Sequence, residues 1–359
     1  MKYYYHKLLI KYNNSINVII LIKNNEQLEK YLNDINEESI LGIDTEFRRI
    51  DSYSPELCLV QIASKNHLEC IDVLSINNLE PLFDKLYDGK TLWVIHSARQ
   101  DIEALYYLSD RTPSHLFDTQ IGASFLNYPL QISYQAITEK LQNIFLEKKF
   151  TRFDWRKRPL PDDVLKYALD DVKYLLPNYR ILKKELINQG KLSWVEEEVQ
   201  FLLNKDTYEP NYIQILKKTK GINKVSHKNQ ENAFKLVHWR ESVAQQKNKP
   251  RKWIMSDESL IDYANGQRKL SDSQNKFFEN FIRKSKLKAA PEDTLVAKKP
   301  LSESEKLLKN QLKDKINLLS TKHAIPSELI CSSKNLVNLI KGDNTLSIQS
   351  GWRAELFKL

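Results

Sequence analysis

The stretch Leu41-Gly42-Ile43-Asp44-Thr45-Glu46-Phe47 decides how the rest of the chain is read. Its apolar flanks describe a buried strand, and on a strand residues two apart leave the same face. Asp44 and Glu46 therefore project side by side. Two such carboxylates repel, and their burial costs on the order of several kcal/mol per ion unless cations compensate. Hard divalent cations take carboxylate oxygens, which makes the pair a candidate metal-ligand set. A solvated strand end would carry the same pattern, so the surroundings have to decide.

Those surroundings alternate strands with helices. Asn17–Ile22 is expected as a strand, Glu26–Ile35 as a helix and Ile40–Phe47 as the strand just described. Leu57–Ala63 and His67–Val73 are apolar runs parted by Ser64-Lys65-Asn66, a β-hairpin pattern. Thr91–His96 is a short buried strand, with Ser97 placed to cap the helix after it. A hairpin within a β/α alternation predicts a mixed sheet with helices on its faces. A long helical pattern starts at Pro161 and runs past Tyr167 and Asp171 to Leu176, where Pro177 should end or kink it. A further helix, Asn178–Gln189, stops at Gly190.

On that helix Tyr167 and Asp171 are four residues apart and share a face. A tyrosine hydroxyl beside a metal-bound carboxylate can orient an attacking water; Asp170 is a competitor that spacing does not exclude. A third carboxylate, Asp101, lies in His96-Ser97-Ala98-Arg99-Gln100-Asp101 at a strand-to-helix junction, where a first-turn acid also suits the helix dipole.

Beyond about residue 203 the strand signals stop. Lys205–Gly221 is polar and contains a proline, as a linker would. Asn232–Gln246, Asp272–Ser285 and Glu303–Leu319 are helix candidates, with Lys298-Lys299-Pro300 as a second joint. The segments 222–297 and 302–359 are read as diverged copies of one helical module. The net charge of +9 is concentrated here: residues 204–359 hold 30 Lys+Arg against 17 Asp+Glu, whereas residues 1–203 hold 25 against 29. An acidic front with a basic back suggests catalysis ahead of a polyanion grip. The strip Lys148-Lys149-Phe150-Thr151-Arg152-Phe153-Asp154-Trp155-Arg156-Lys157-Arg158 interleaves cations with aromatics, as single-strand binding surfaces do. Arg152 and Arg156 are its candidate phosphate contacts, with Trp155 and Arg158 beside them; a solvated loop anchored by Trp155 is the alternative.

Of the 359 residues, 41% are hydrophobic, enough for packed cores and two or three domains. Cys58, Cys70 and Cys331 are widely spaced, which argues against a disulfide framework or a zinc cluster and for a reducing compartment. The run Val18–Ile22 is too short to span a bilayer. A soluble, cytoplasmic protein is expected, a monomer with no obligate protein partner.

Taken together, Ile43-Asp44-Thr45-Glu46-Phe47, His96…Asp101 and Tyr167…Asp171-Val172…Tyr174-Leu175-Leu176-Pro177 resemble the three exonuclease motifs of the DEDDy family. Gln61-Ile62, Phe117-Asp118-Thr119-Gln120 and Asp154-Trp155…Arg158-Pro159-Leu160 are similar to ribonuclease D, and the resemblance spans nearly all of residues 17–200. It implies a ribonuclease H-like α/β exonuclease domain over 1–203 and a linker at 204–221. Leu236…Trp239-Arg240-Glu241…Ala244 and Asn248-Lys249-Pro250-Arg251-Lys252-Trp253-Ile254-Met255 resemble the helicase-and-RNase-D C-terminal (HRDC) domain, implying all-α bundles at 222–297 and, in a short second copy, at 302–359. In these modules the tryptophans are expected in the core, with the run Arg283–Lys288, Arg251 and Lys252 as candidate phosphate contacts.

By that resemblance Asp44, Glu46, Asp101 and Asp171 are expected to hold two divalent cations, Mg²⁺ or Mn²⁺, and Tyr167 to hold the hydrolytic water. Asp44 would bridge both ions, Glu46 and Asp171 would hold the first, and Asp101 would reach the second. Asp118 is expected to be structural and His96 a packed strand-end residue. The implied activity is 3′→5′ exoribonucleolysis of RNA, with transfer RNA precursors as substrate and nucleoside 5′-monophosphates as product. A DNA-directed exonuclease and a catalytically silent nucleic-acid-binding adaptor are the other readings.

Overall fold

The computed structural model describes residues 21–147, 149–150, 152–285, 300–343 and 347–357. Residues 17–20 of the expected first strand, Lys148 and Thr151 of the basic strip, Lys286–Lys288 and the Lys298-Lys299 joint lie outside them. The front half runs β1 (Leu21–Ile22), α1 (Asn25–Asp34), β2 (Ile40–Arg48), β3 (Glu56–Ala63), β4 (Leu68–Asp72), α2 (Glu80–Leu86), β5 (Leu92–Ile95), α3 (Arg99–Ser109), β6 (His115–Asp118), α4 (Thr119–Ser124) and α5 (Tyr134–Gln142). The strands form one sheet in the order β1-β4-β3-β2-β5-β6. β2, β3 and β4 are antiparallel, whereas β1 on β4, β5 on β2 and β6 on β5 are parallel. This is the expected mixed sheet. Ser64-Lys65-Asn66 makes the expected tight connection, closed by the Ser64 N–H donating to the His67 carbonyl at 2.9 Å.

Two local expectations are corrected. The helical pattern does not run through to Pro177: it divides into α6 (Asp162–Lys173) and α7 (Leu175–Asn188), with Tyr174 at φ −105°, ψ 1° between them. Pro177 is thereby the third residue of α7, where its missing N–H belongs to the first turn and would have no helical partner anyway. Ser97 does not cap α3, because it adopts φ +64° and its side chain makes no capping bond. Asp118 does that work from β6, accepting from the Ser97 and Ala98 N–H groups at 3.0 and 2.8 Å and capping α4 through Gln120 and Ile121. The expected structural role of Asp118 is what the hydrogen bonds display.

Gly42 makes the junction of β2 with α7 possible. A Cβ there would lie 3.2 Å from that of Leu175, tighter than ordinary packing, so the backbone approaches as closely as it does only with glycine.

The back half is helical: α8 (Leu192–Glu198), α9 (Gln200–Leu203), α10 (Tyr212–Lys218), α11 (Gln230–Gln246), α12 (Arg251–Ile254), α13 (Asp257–Ala264), α14 (Asp272–Lys284), α15 (Glu303–His323), α16 (Ser327–Ile330), α17 (Ser333–Ile340) and α18 (Gly351–Phe357). The segment expected as a linker is instead folded. Asn211 caps α10 by accepting from Gln214 N–H, and Leu216 is fully buried against Phe234, Val237 and Leu260. Its apolar residues, Ile213 and Leu216, recur at helical spacing within a polar segment, and burial of that one face decides the outcome.

A single backbone pattern occurs twice, at a constant offset of 76 residues (248 to 324, 266 to 342). A long helix ends, Asn248 or Ala324 turns at φ +44°, Pro250 or Pro326 starts a four-residue helix, and Ser256 or Ser332 caps an eight-residue helix followed by Gly266 or Gly342. This supports two diverged copies of one module. The second does not close a core of its own: Ile316, Leu319, Ile325, Leu329, Leu336 and Trp352 are continuous with Val94, Phe125, Leu186 and Val195 of the front half. Among the described residues, no helix is long and apolar enough to cross a membrane.

Candidate active site

β2 is flanked by β3 and β5 near the middle of the sheet, and its alternation delivers Asp44 and Glu46 to one face, over which α6 packs. α6 brings Asp171. Asp44, Glu46 and Asp171, all half-buried, each offer an oxygen within 4.8 Å of the others. This geometry selects Asp171 over Asp170. Asp101, in the first turn of α3, is not one of this trio; it accepts a 2.6 Å hydrogen bond from the hydroxyl of Thr45, the residue between the two β2 acids.

The electrostatics are those of a carboxylate cluster short of cations. Loss of hydration, then Asp101, Asp171 and Glu46, hold Asp44 well above the usual carboxylate range. Loss of hydration, then Asp171 and Asp101, do the same to Glu46. Asp101 is pushed up to about 7, chiefly by burial and against the hydrogen bond from Thr45. An all-oxygen donor set of this charge fits a hard divalent cation, which would offset the repulsion the acids feel.

Tyr167 lies one turn before Asp171 and hydrogen-bonds to its carboxylate; burial and then the acids raise its hydroxyl above its ordinary value, so it is protonated at neutral pH. Asp44, His96, Tyr134, Gln135, Tyr167, Asp171 and Leu175 line a cleft of about 400 Å³. His96 is tied at both ring nitrogens, 2.9 Å from the Thr119 hydroxyl and 2.9 Å from the Ile132 carbonyl. Burial lowers its pKa, so it is a neutral, packed residue of the wall, as expected, with no free nitrogen for proton transfer.

Tyr134 is a residue that sequence reasoning missed. Its hydroxyl donates to the Asp170 carbonyl at 3.1 Å and accepts from the Tyr174 N–H at 2.9 Å, bridging the break between α6 and α7 next to Asp171. The link spans about 40 residues of sequence, and no local pattern marks it. Gln61 is opposite Asp44 across the β2–β3 ladder and fully buried, yet neither its amide nitrogen nor its oxygen has a hydrogen-bond partner among the described residues.

The six candidate RNA contacts are placed very differently. Arg152 and Lys252 are exposed. Trp155 is buried beside Leu160 and Val164, the anchoring alternative. Arg156 is exposed and pairs with Asp154 at 3.5 Å. Arg158 is committed inward: it grips buried Asp72 through Nε and Nη2 at 2.7 and 2.6 Å and donates to the carbonyls of Trp155, Lys157 and Cys58. Arg251 pairs with fully buried Glu241 at 3.1 Å. The expectation that the module tryptophans are core holds for Trp239 and Trp352 and fails for Trp253, which is 63% exposed. A short helix starting on Pro250 turns that side chain outward, although it lies between residues of a core motif.

Residues 19–187 match the 3′-5′ exonuclease family. The chain is 35% identical to ribonuclease D of Bartonella henselae over 94% of its own length and 87% of the relative's. It is 33% identical to ribonuclease D of Desulfotalea psychrophila, over 94% and 96%. The crystal structure of Escherichia coli RNase D, described as an exoribonuclease involved in structured RNA processing, superimposes with a TM-score of 0.79 at 24% identity, over 95% of this chain and 96% of that one. At that identity the superposition speaks for the shared fold.

Proposed function

The chain belongs to the ribonuclease D family and is a metal-dependent 3′-5′ exoribonuclease; from that premise we propose which residues carry the reaction and on what RNA. Asp44, Glu46, Asp101 and Asp171 hold two divalent cations, Mg²⁺ or Mn²⁺, and the substrate is the 3′ extension of a transfer RNA precursor, met in the cytoplasm by a monomeric enzyme. The observation that carries the assignment is the convergence of Asp44, Glu46 and Asp171 within 4.8 Å, two of them, Asp44 and Asp171, lining a cleft together with Tyr167.

When bound, the cations supply a lowered pKa for water and a charge clamp on the phosphate. The protein's own groups do the rest. β2 fixes Asp44 and Glu46 as a rigid pair, and Thr45 holds one oxygen of Asp101 by a 2.6 Å hydrogen bond. Tyr167, protonated and bonded to Asp171, orients the attacking water by hydrogen bonding rather than by taking its proton. Tyr134 fixes the end of α6 and with it Asp171. The product is a nucleoside 5′-monophosphate, released from the 3′ end.

The test is degradation of a 3′-extended transfer RNA precursor labelled at its 5′ end, with Mg²⁺ or Mn²⁺, beside EDTA and Asp44→Asn controls. A metal-dependent ladder stopping near the mature end, absent from both controls, is the expected result. Intact RNA under every metal condition would overturn the assignment.

A further inference from the structure

The turn that joins α11 to α12 has features that the catalytic cluster does not use. Residues 245–253 read Gln-Gln-Lys-Asn-Lys-Pro-Arg-Lys-Trp, with no acid among them. Lys247, Lys249 and Lys252 are exposed and make no ion pair among the described residues; only Arg251 is neutralised, by Glu241. Trp253 projects beside them, and the Lys249 ammonium lies 5.7 Å from its ring centroid. An indole exposed to this extent forgoes much of the burial that usually keeps tryptophan inside.

The repeat within the chain shows what this backbone position is suited to. At the offset of 76, Lys249 corresponds to Ile325 and Trp253 to Leu329. In the second copy both are buried, 1% and 9% exposed, within the core shared with the front half. The neighbouring Ala324 carbonyl accepts from Lys191 of the front half. One knuckle is therefore an apolar docking surface, whereas the other presents to solvent an indole with Lys249 over its ring and two further exposed lysines, Lys247 and Lys252, in the same turn.

The knuckle is also held beside the catalytic strand. Asn248 Oδ1 accepts from the N–H groups of Tyr53 and Ser54 and from the Ser54 hydroxyl at 3.0 to 3.2 Å. Tyr53 OH donates to Glu241 at 3.1 Å, the same carboxylate that Arg251 pairs with. Tyr53 is seven residues after Glu46, so the chain limits their separation to about 25 Å.

We propose that Lys247, Lys249, Lys252 and Trp253 form a binding site for single-stranded RNA, one base stacking on the indole and the lysines meeting the flanking phosphates. It seats the strand upstream of the 3′ end held at the carboxylate cluster. Charge complementarity selects this occupant: three exposed lysines without ion pairs among the described residues, in one turn with an exposed indole, suit a polyanion with stackable bases, whereas an apolar protein surface would leave the lysines without partners. The proposal rests on the exoribonuclease reading for its consequence in catalysis, and on the geometry alone for binding.

The experiment compares full-length wild type, Trp253→Ala, Trp253→Phe and Lys249→Ala/Lys252→Ala. Binding of a 5′-fluorescein-labelled 12-nucleotide oligouridylate is followed by anisotropy in EDTA at several salt concentrations, with thermal melts to verify folding. Trp253→Ala is expected to weaken binding roughly 5- to 100-fold with the salt slope kept, and Trp253→Phe to recover most of it. The double lysine variant should lower the salt slope by about 1.4. In Mg²⁺ the KM for the same RNA rises in Trp253→Ala while kcat holds. Equal metal-free affinities for wild type and Trp253→Ala would overturn the site, as would a change in sedimentation coefficient without a change in RNA affinity, which assigns the knuckle to a protein partner. Absence of hydrolysis by wild type in Mg²⁺ would instead overturn the enzyme reading, with the metal-free comparison still deciding the site.

Discussion

Replacing Arg158 distinguishes a phosphate contact from a structural staple. The guanidinium donates to both oxygens of Asp72, which is 1% exposed, and to the carbonyls of Trp155, Lys157 and Cys58. Arg158→Ala would strand a buried carboxylate, a change that costs about 3–5 kcal/mol. Arg158→Lys keeps a charge but not the planar fork, and is expected to lose roughly half as much. The pH dependence has a definite sign. Burial alone would raise Asp72, but the bonds from Arg158 and Ser75 outweigh it and its pKa is lowered. A depressed carboxylate contributes stability that is present above its unfolded pKa of about 3.9 and is lost as pH falls through the folded value. The penalty of Arg158→Ala should therefore be full at pH 7 and shrink below about pH 4. Urea unfolding followed by tryptophan fluorescence, with RNA binding measured at several salt concentrations, tests this. An Arg158→Ala protein that unfolds like wild type but loses about 0.7 from its salt slope would show that the side chain serves phosphate and refute the staple.

Three further outcomes follow from the cluster and its neighbours. Asp44→Asn should abolish hydrolysis yet stabilise the protein in EDTA at a pH high enough to ionise the cluster, because at an effective dielectric of ~20 two charges within the observed spacing repel by about 3 kcal/mol; a lower melting temperature than wild type under those conditions would contradict this. With Asp101 pushed up to about 7 and Asp44 and Glu46 also raised, the metal-free protein favours protonated acids. The cluster's contribution to stability is full below about pH 4 and is lost as pH rises through 7, and Mg²⁺ should flatten that loss; a melting temperature in EDTA independent of pH between about 5 and 8 would count against it. Gln61→Met removes two buried polar atoms that have no partner among the described residues and keeps similar volume. It should raise stability by about 1–3 kcal/mol in urea melts without metal, and a loss instead would reveal a partner for the amide.

The parts of this site legible in sequence are those set by local periodicity. Alternation put Asp44 and Glu46 on one face, and helical spacing put Tyr167 and Asp171 on another, because both relations are fixed by backbone geometry alone. The hairpin and the mixed sheet were readable for the same reason. Spacing left Asp170 and Asp171 open, and only the packing of α6 against the sheet separates them. Partners distant in sequence left no local trace: Asp72 for Arg158, Glu241 for Arg251 and the α6–α7 break for Tyr134. A strip of cations and aromatics therefore looked uniform, although in the structure one arginine is a staple, one tryptophan is core and Arg152 is free to face solvent.

The two modules take the same contrast further. Their backbones follow one pattern from the turn at 248 or 324 to the glycine at 266 or 342, with the proline, the capping serine and the glycine shared at matching positions. What differs is which side chains that conformation displays. Ile325 and Leu329 draw the second copy into the core of the catalytic half, where Arg353 grips Glu198 at 2.7 and 2.9 Å and holds α18 in place. Asn248 holds the first copy by hydrogen bonds to the loop after β2 and leaves Lys249 and Trp253 outside. An apolar seam over a shared core is costly to open, whereas a few solvent-exposed hydrogen bonds are each worth only about 0.5–1.5 kcal/mol. The second module is thus effectively part of the catalytic body, whereas the first keeps a core of its own.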